Sequence, residues 1–377
     1  MEFRDLKRQY RHLKADIDQA MVDVAASGDY IMGAPVKALE CELAEYVGVK
    51  HCLTCGNGTN ALTLALKAWG IGKGDAVFVP DFTFFASAEV VALEGATPVF
   101  VDVNPRTFNI DSANLEQAVA EVKREGVLRP RVIVAVDLFG LPADFGTLRT
   151  IADHEGLLLL EDGAQGFGGS IDGQRACSFG DIATTSFFPA KPLGCYGDGG
   201  AVFTDSDEWA LLIESYRVHG KGSNKYDNVR IGLNSRLDSL QAAILQVKLN
   251  AFRNHELQDV NLAAQRYNTL LQPLTDKLTL PLIPQGFGSS WAQYTLILND
   301  SVNRASLQAA LKEKGIPSIV YYPTPMSRQT AFQHVHHYVE TPIAQRLSQL
   351  VFSLPIHPYI TQTETEIVCN ALESHLI

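Results

Sequence analysis

Short apolar segments alternate with helix-like stretches through the first 250 residues of this 377-residue chain. Several of these segments are rich in Val, Ile, Leu and Phe and show no polar alternation, which is typical of strands buried on both faces of a sheet. The candidate strands are residues 76–80, 98–103, 131–138, 157–161, 182–188 and 200–204, and helical patterns such as 60–69 and 145–154 lie between them. This order predicts an α/β fold with a mostly parallel central sheet covered by helices.

The pattern changes after about residue 237. Residues 237–258 have apolar side chains at helical spacing and predict one long amphipathic helix. A strand at 293–298, a helix at 304–314 and another strand ending at 319–323 are predicted beyond it. Because the chain is too long for a single small core, we expect a large domain at residues 1–250 and a smaller α+β C-terminal domain at 251–377.

The bulk composition narrows the class of partner. A formal net charge of −11 at pH 7 argues against nucleic acid, whose binders need a dense basic surface. No apolar run is long enough to span a membrane, and the charged N-terminal sequence lacks the apolar segment of a signal peptide. We therefore expect a cytoplasmic protein with neither nucleic acid nor membrane as its partner.

The cysteines and histidines raise two further possibilities. Six cysteines are too few for a disulfide scaffold of this size. Cys52 and Cys55 have the spacing of a redox motif, but buried reduced thiols are the favoured interpretation. The segment His334-Val335-His336-His337 could bind metal, although it lacks a fourth ligand at suitable spacing and a polar surface loop is favoured.

A glycine-rich turn precedes the first predicted helix. In Cys55-Gly56-Asn57-Gly58-Thr59-Asn60, glycines allow a tight turn and close approach to a ligand, and a helix is expected to start at Thr59 or Asn60. Free N–H groups at such a helix start favour an anion. Taken alone, the segment favours an ordinary glycine turn with a Thr or Asn N-cap.

Acidic residues follow the leucine-rich strand at 157–160. Glu161 and Asp162 occupy its carboxyl end, where ligands bind in open α/β sheets. An aspartate there can hold a proton on a pyridine nitrogen, although a helix cap or a surface turn is equally consistent with the pattern. Gln165 is placed to add a hydrogen bond to a ring oxygen.

Lys191 comes shortly after another apolar strand and before a loop with four glycines. A lysine amine must be neutral to attack an aldehyde, and a desolvated site lowers its pKa. Ser186, five residues earlier, is placed to donate to a phosphate. Any one lysine is more often a surface residue, but the three segments together offer a phosphate cradle, a carboxylate for a ring nitrogen and a Schiff-base lysine. That combination indicates pyridoxal 5′-phosphate (PLP).

These segments resemble the sugar aminotransferases of PLP fold type I, in the DegT/DnrJ/EryC1/StrS family. The resemblance covers nearly the whole chain. It includes the three segments above and the following further motifs: Phe3-Arg4-Asp5-Leu6-Lys7, Gly28-Asp29-Tyr30-Ile31-Met32-Gly33, Gly232-Leu233-Asn234-Ser235-Arg236-Leu237-Asp238 and Tyr321-Tyr322-Pro323.

The resemblance implies a role for each cofactor residue. Lys191 would hold PLP as a Schiff base and move a proton between substrate and cofactor, and Asp162 would pair with the pyridinium. Phe84 would stack on the ring, although a core aromatic is the alternative. The remaining cofactor contacts implied are Gly58, Thr59 and Ser186 at the phosphate and Gln165 at the phenolic oxygen.

The family is dimeric with shared sites, so Asn234 would reach the cofactor phosphate of the neighbouring subunit and Arg236 would contact substrate. The other substrate-binding residues implied are Gly28, Tyr30, Tyr321 and Tyr322. The expected assembly is a homodimer.

The implied reaction has two stages. L-Glutamate gives its amino group to PLP, leaving 2-oxoglutarate and pyridoxamine 5′-phosphate, which then aminates a nucleotide-linked keto sugar for bacterial polysaccharide or O-antigen synthesis. The run Gly197-Asp198-Gly199-Gly200 resembles members that act on the C3 ketone of UDP- or dTDP-linked sugars. Similar members have His and Ser where this chain has Tyr321 and Ala190, which affects the choice of sugar.

Three alternatives stay open at this point. One is an aminotransferase for a 4-keto nucleotide sugar or a keto-cyclitol. Another is a PLP lyase or a desulfurase of the same fold; a desulfurase needs a reactive cysteine, for which Cys195 is the candidate. A regulator that has lost its chemistry is the third, but it would be expected to lack Lys191 or Asp162.

Overall fold

The computed structural model describes residues 1–224 and 226–376. Its α-helices are α1 (Leu6–Ser27), α2 (Ala34–Val47), α3 (Gly58–Ala68), α4 (Ala86–Leu93), α5 (Ser112–Glu125), α6 (Phe145–Glu155), α7 (Asp207–Tyr216), α8 (Ser239–Ala251), α9 (Leu257–Leu271), α10 (Arg304–Glu313), α11 (Pro342–Leu350) and α12 (Gln362–Leu376). Its strands are β1 (His51–Cys55), β2 (Asp75–Pro80), β3 (Thr97–Val101), β4 (Arg129–Val136), β5 (Leu158–Asp162), β6 (Ser170–Ile171), β7 (Gln174–Arg175), β8 (Ile182–Ser186), β9 (Gly200–Thr204), β10 (Leu278–Thr279), β11 (Phe287–Gly288), β12 (Tyr294–Leu298) and β13 (Val351–Leu354).

A seven-stranded sheet with the order β1-β9-β8-β5-β4-β2-β3 forms the centre of the fold. Strands β8, β5, β4, β2 and β3 are parallel, and β9 runs antiparallel to both of its neighbours. The pairing sets Val136 beside Asp162 and Asp162 beside Thr184, so the carboxyl ends of three strands meet at one edge. The predicted α/β fold with a mostly parallel sheet is confirmed.

The buried strands explain why the sequence shows no polar alternation. On β2, Val77 and Val79 face one apolar core, while Ala76 and Phe78 face a second core on the opposite side of the sheet. Successive side chains of a strand point to opposite faces, so both sets must be apolar when helices cover both faces. All six residues of β2 are buried.

The predicted boundaries agree with the structure to within a few residues. The helix expected to start at Thr59 or Asn60 begins at Gly58, because the side chain of Asn57 caps it by accepting a hydrogen bond from the N–H of Asn60. The strand expected at 182–188 ends at Ser186, where the chain turns into the lysine-bearing loop. Strand β1, at His51–Cys55, was not predicted.

The long helix predicted at 237–258 starts two residues later and extends further. Helix α8 continues through a π-helical turn at Phe252–Glu256 into α9, which ends at Leu271. Beyond it, β10, β12 and β13 form an antiparallel sheet with its own apolar core, which includes Tyr267, Tyr294 and Phe352. The domain boundary at residue 250 stays a prediction.

The strand predicted to end at 319–323 is wrong. Ile319 forms a single β-bridge with Ser353, and the chain then leaves the sheet. The reason is that Tyr321 and Tyr322 turn towards a cavity at the edge of the large sheet, where their rings pack against Phe3 and Phe82 respectively. None of the described helices is long and apolar enough to cross a membrane.

Candidate active site

A cavity of about 480 Å³ opens at the carboxyl ends of β4, β5 and β8. Three strand-end residues, Val136, Asp162 and Ser186, form its floor. Of the residues predicted to act in the site, those that line this cavity are Gly58, Thr59, Phe84, Asp162, Gln165, Ser186, Lys191, Tyr321 and Tyr322. The topology therefore gathers nine predicted residues from separate parts of the chain.

Asp162 is a buried carboxylate that accepts two hydrogen bonds. Ser87 Oγ donates to its Oδ2 at 2.7 Å, and the N–H of Ala164 donates to its Oδ1 at 3.2 Å. Burial raises the pKa of Asp162, while these hydrogen bonds and the charge of Lys191 oppose that rise. The carboxylate is therefore held in place and faces a cationic group across the cavity.

Gln165 is oriented by the main chain and points its amide towards the cavity. Its Oε1 accepts a hydrogen bond of 2.8 Å from the N–H of Phe139, which leaves Nε2 to donate to Tyr322 Oη at 3.1 Å. The amide nitrogen is thus the group presented to the cavity. A donor at this position suits an oxygen on a bound ring.

The start of α3 approaches Ser186 very closely. A Cβ atom on Gly58 would lie 2.7 Å from the Cβ of Ser186, which excludes a larger side chain. A Cβ on Gly200 would lie 2.6 Å from the carbonyl of Asn57, so the end of the lysine loop presses against the same turn. Main-chain N–H groups at a helix start, beside a serine hydroxyl, form a cradle for a phosphate.

Lys191 is half-buried in the cavity wall. Its pKa is lowered to about 8, because burial disfavours the charged amine more than Asp162 favours it, and Arg4 adds a repulsive charge. On the order of a tenth of the amine is therefore neutral near pH 7, far more than for a lysine of ordinary pKa, and an attack on an aldehyde requires the neutral form.

Aromatic side chains form the mouth of the cavity. The rings of Phe84 and Tyr322 lie 6.2 Å apart, and Phe84 stays half exposed. Burial raises the pKa of Tyr322, so its hydroxyl stays protonated. Phe84 is thus an exposed ring above the cavity and not the core aromatic that was its alternative.

Two further carboxyl groups, those of Glu161 and Asp137, are buried near Asp162. Glu161 is fully buried and accepts hydrogen bonds from the N–H groups of Phe179 and Gly180 at 2.7 and 3.2 Å. Burial raises the pKa of Glu161 to about 7. Asp137 is buried beside it, and burial together with the charge of Glu161 raises the pKa of Asp137 well above its usual value. The proton of this pair therefore resides mainly on Asp137.

The three cysteines considered as reactive candidates, Cys52, Cys55 and Cys195, are all buried. Burial raises the pKa of Cys55 to about 12 and that of Cys52 well above its usual value. Cys195 is buried, its Sγ donates to the carbonyl of Phe187 at 3.0 Å, and its pKa is raised to about 11. Neither the redox motif nor a desulfurase cysteine has the thiolate that it would need.

Four predicted substrate or cofactor residues do not line the cavity of the single chain: Gly28, Tyr30, Asn234 and Arg236. Gly28 ends α1, and the carbonyl of Tyr30 accepts a hydrogen bond from the N–H of Ser239. The side chain of Arg236 donates to Asn234. Their roles stay predictions.

Two residues near the site were not predicted. Ser87 contacts Asp162 across 75 residues of sequence, and Arg4 contacts the main chain of Lys191 across 187. Neither has a local sequence signal for this contact, although Arg4 lies in a motif that resembles the family. Among the described residues, no group of three or more His, Cys, Asp or Glu side chains is placed to hold a metal ion.

Comparison with known proteins agrees with this geometry. The profile of the DegT/DnrJ/EryC1/StrS aminotransferase family matches residues 11–373. The chain belongs to this family. It is therefore a transaminase, as the lysine and the aspartate at the strand ends predict.

Relatives in the DegT/DnrJ/EryC1/StrS family align over nearly the whole chain. The UDP-2-acetamido-2-deoxy-3-oxo-D-glucuronate aminotransferase of Pseudomonas aeruginosa is 43% identical over 372 residues, which is 99% of each protein. The crystal structure of a family member from Brucella abortus has a TM-score of 0.96 and 45% identity, and the match covers 100% of this chain and 99% of that one. The crystal structure of NtdA from Bacillus subtilis with bound cofactor PMP has a TM-score of 0.87 and 28% identity, covering 97% of this chain and 82% of that one.

PLP is the cofactor of this DegT/DnrJ/EryC1/StrS aminotransferase. The residues of the cavity fit it at three points. The cradle at Gly58 and Ser186 leaves no room for a side chain but exposes main-chain N–H groups to a phosphate. Asp162 offers a buried carboxylate for a ring nitrogen, and Lys191 offers an amine with a lowered pKa.

Proposed function

We propose that this aminotransferase moves the amino group of L-glutamate to the C3 ketone of a sugar linked to UDP or dTDP. The observation that carries the proposal is that Lys191, Asp162 and Asp198 line one cavity. Asp198 belongs to the Gly-Asp-Gly-Gly run that resembles 3-keto enzymes. The Pseudomonas aeruginosa relative is named for a 3-oxo sugar substrate, which supports the same regiochemistry. Synthesis of bacterial polysaccharide or O-antigen sugars is the role we propose for the product.

PLP supplies an aldehyde that accepts an amino group and a ring that takes up electrons. In the proposed reaction Lys191 Nζ binds the cofactor, and the amine, once free, carries a proton to and from the reacting carbon. Its lowered pKa suits this role, because a base with a pKa of about 8 exchanges protons readily near neutral pH. Asp162 holds a proton at the ring nitrogen, since a buried carboxylate attracts that charge strongly.

Substrate contacts extend beyond the single chain in this proposal. Ser239 N–H donates to the carbonyl of Tyr30, and Arg236 contacts Asn234 two residues away, so the predicted residues outside the cavity group near the start of α8. Tyr30 and Ile31 are neighbours that expose 50% and 52% of their surface, and Ile31 pairs with Asp238 at the start of α8, so an exposed apolar patch lies beside Asn234 and Arg236 and supports a protein interface there. We infer that a second copy covers this surface and receives Asn234 and Arg236 in its cavity.

The guanidinium of Arg236 is suited to a carboxylate or a phosphate, because it offers two parallel hydrogen bonds to either. That property would let one residue serve both L-glutamate and a nucleotide sugar in alternate half-reactions. The six cysteines are free thiols, which is usual in a reducing compartment, and we propose the cytoplasm as the location.

The regiochemistry is tested with enzyme purified in its pyridoxamine form. It is mixed with a 3-keto or a 4-keto sugar nucleotide, and the return of the aldehyde form is followed by absorbance. We expect the 3-keto sugar alone to restore it, and Lys191→Ala, treated in the same way, to show no turnover. Restoration by the 4-keto sugar alone would overturn the proposal in favour of the 4-keto alternative.

The shared site is tested by mixing two inactive variants. Lys191→Ala and Arg236→Ala each lack one part of the site, and a hybrid dimer of the two would contain one complete site. We expect activity to reappear on mixing only if subunits exchange residues across the interface. Light scattering of the unmixed protein should give the mass of a dimer. A monomer, or no recovery in a hybrid that has formed, contradicts the shared site.

A further inference from the structure

The N-terminal segment, residues 3 and 4, contacts the lysine-bearing loop between β8 and β9. Arg4 Nη2 donates to the carbonyl oxygen of Lys191 at 2.9 Å and to that of Pro192 at 3.4 Å. One guanidinium nitrogen therefore bridges the two consecutive carbonyl groups at the base of the lysine. The loop has a second local contact, from the N–H of Lys191 to the carbonyl of Phe188 at 2.8 Å.

The same segment also contacts Tyr321, another residue that lines the cavity. The ring of Phe3 packs edge-on against Tyr321 at a centroid distance of 6.3 Å, and the carbonyl of Phe3 accepts a hydrogen bond from the N–H of Ile356 at 3.3 Å. Residues 3 and 4 thus fix the lysine loop relative to the tyrosine that lines the mouth.

We propose that Arg4 is a positioning residue for Lys191: its guanidinium holds the main chain from which the lysine side chain projects and places a positive charge near the amine. The proposal rests on the proposed role of Lys191 in binding the cofactor, and it is independent of which sugar is used. Arg4 itself acts through Lys191 and is not assigned a contact with substrate.

The charges around these two residues set the direction of the effect. Lys191 is influenced by the carboxylate of Asp162, which raises its pKa, and by Arg4, which lowers it. Arg4 is influenced by Glu256 and Tyr321, and burial lowers the pKa of Arg4 to about 10, so it is still a cation near pH 7.

Two further ionisable groups lie near Arg4. The charge of Arg4 contributes to lowering the pKa of Lys248 to about 8 and that of His357 to about 4, although burial is the larger cause in both. His357 is therefore neutral near pH 7, whereas Lys248 is largely charged. Arg4 is nevertheless the cation that acts directly on Lys191, so its removal is expected to raise the proton affinity of that amine.

The experiment compares two substitutions that both remove the guanidinium of Arg4, only one of which also removes its positive charge. Arg4→Gln retains an amide donor but loses the charge, whereas Arg4→Lys retains the charge but loses the planar group. The full-length protein is loaded with PLP, and the pH at which the absorbance of the Lys191-bound cofactor changes is measured. We expect this midpoint to rise by on the order of one pH unit in Arg4→Gln and to stay close to that of the wild type in Arg4→Lys.

A second measurement reports position directly. Amide hydrogen exchange of residues 187–199 should be faster in both Arg4 variants than in the wild type, because neither the shorter amide of Gln nor the ammonium of Lys reproduces the guanidinium bridge to the two carbonyl groups. At neutral pH we expect kcat to fall about tenfold in Arg4→Gln, with KM for the amino donor little changed. If Arg4→Gln does not fold, the exchange rate and kcat of Arg4→Lys decide the question.

Arg8→Gln is the matched control. Arg8 anchors the same N-terminal segment through Glu364 and the carbonyl of Tyr359, but it does not contact the lysine loop. Its loss should lower thermal stability and leave the midpoint and the exchange of residues 187–199 unchanged. The proposal is overturned if Arg8→Gln has the same effects as the Arg4 variants, or if the Arg4 variants match the wild type. If the PLP-loaded wild type shows no absorbance that Lys191→Ala lacks, the result would instead count against the proposed function.

Discussion

Ser87 donates a hydrogen bond of 2.7 Å to the buried carboxylate of Asp162 from the first turn of α4. Burial raises the pKa of Asp162, and the hydroxyl of Ser87 is the largest of the opposing influences. The serine therefore favours the charged form of the carboxylate that is proposed to pair with the ring nitrogen. Ser87 does not line the cavity itself, so it supports the cofactor site through Asp162.

Replacing Ser87 by Ala is expected to raise the pKa of Asp162 further, because a buried carboxylate loses a donor. The carboxylate then protonates at a higher pH, so the acid limb of the pH profile of kcat should move to higher pH. A loss of about 1–3 kcal/mol in stability should accompany it. The measurement is kcat against pH, together with the thermal midpoint.

Ser353→Ala is the control for this change. Ser353 is also fully buried and shares a 2.8 Å hydrogen bond with Thr295, but in the C-terminal sheet. It should lower the thermal midpoint and leave the pH profile in place. An unchanged acid limb in Ser87→Ala would refute the role assigned to the serine.

Gly58→Ala should weaken cofactor binding. Its new Cβ would lie 2.7 Å from the Cβ of Ser186, so the start of α3 or the end of β8 must move. Because main-chain N–H groups cradle a phosphate only at close range, we expect the Kd for PLP to rise at least tenfold, or about 1.4 kcal/mol. Fluorescence titration of the apoprotein with PLP measures this.

Gly146→Ala provides the comparison, because a Cβ there has no neighbour closer than 3.6 Å and the position lies within α6. Alanine should stabilise that helix by roughly 0.5–1 kcal/mol and leave the Kd for PLP unchanged. Equal Kd values for the two alanine variants would show that the close approach at Gly58 is not needed.

Asp137→Asn should make the protein more stable at alkaline pH. The pKa of Asp137 is raised above its unfolded value, so its contribution to stability is present at low pH and is lost as the pH rises through the folded value. The loss therefore begins once the pH exceeds the usual pKa of an aspartate, about 3.9, and grows as the pH rises. Asparagine cannot ionise, yet it can still accept the hydrogen bond that Ala143 donates to Asp137.

The thermal midpoint of Asp137→Asn should therefore exceed that of the wild type by about 2–5 °C at pH 8, and the difference should shrink as the pH falls towards about 4. Asp153→Asn is the control, since its side chain is 69% exposed and pairs only loosely with Arg149 at 3.7 Å. It should follow the wild-type curve. Lower stability of Asp137→Asn than of the wild type at pH 8 would contradict a raised pKa at Asp137.

The residues found from the sequence are those that lie next to recognisable strands. Asp162 ends a run of leucines, Lys191 follows a strand by five residues, and Gly58 starts a helix, so short-range patterns located all three. Ser87 was not predicted because its partner, Asp162, is 75 residues away on β5, and nothing near Ser87 in the sequence indicates the contact. The order of strands in the sheet creates that contact.

The segment at Tyr321 and Tyr322 shows the opposite error. Its β-branched and aromatic residues favour a strand, but tertiary packing of the two rings at the cavity overrides that preference. The placement of Asn234 and Arg236 could not be derived from one chain, because the surface on which they lie is proposed to meet a second copy. More of the proposed cofactor residues than of the proposed substrate residues therefore line the cavity of the single chain.

Lys191 lies in the connection between β8 and β9, two neighbouring antiparallel strands whose ends pair at Ser186 and Gly200. Both ends of this loop are thus fixed to one strand pair, and no helix or crossover depends on what lies between them. A change in the length of this loop away from Lys191 would therefore leave the order and direction of the strands unaltered. The parts of the loop beside Lys191 can thus be altered independently of the parallel strands that place Asp162 and Ser186.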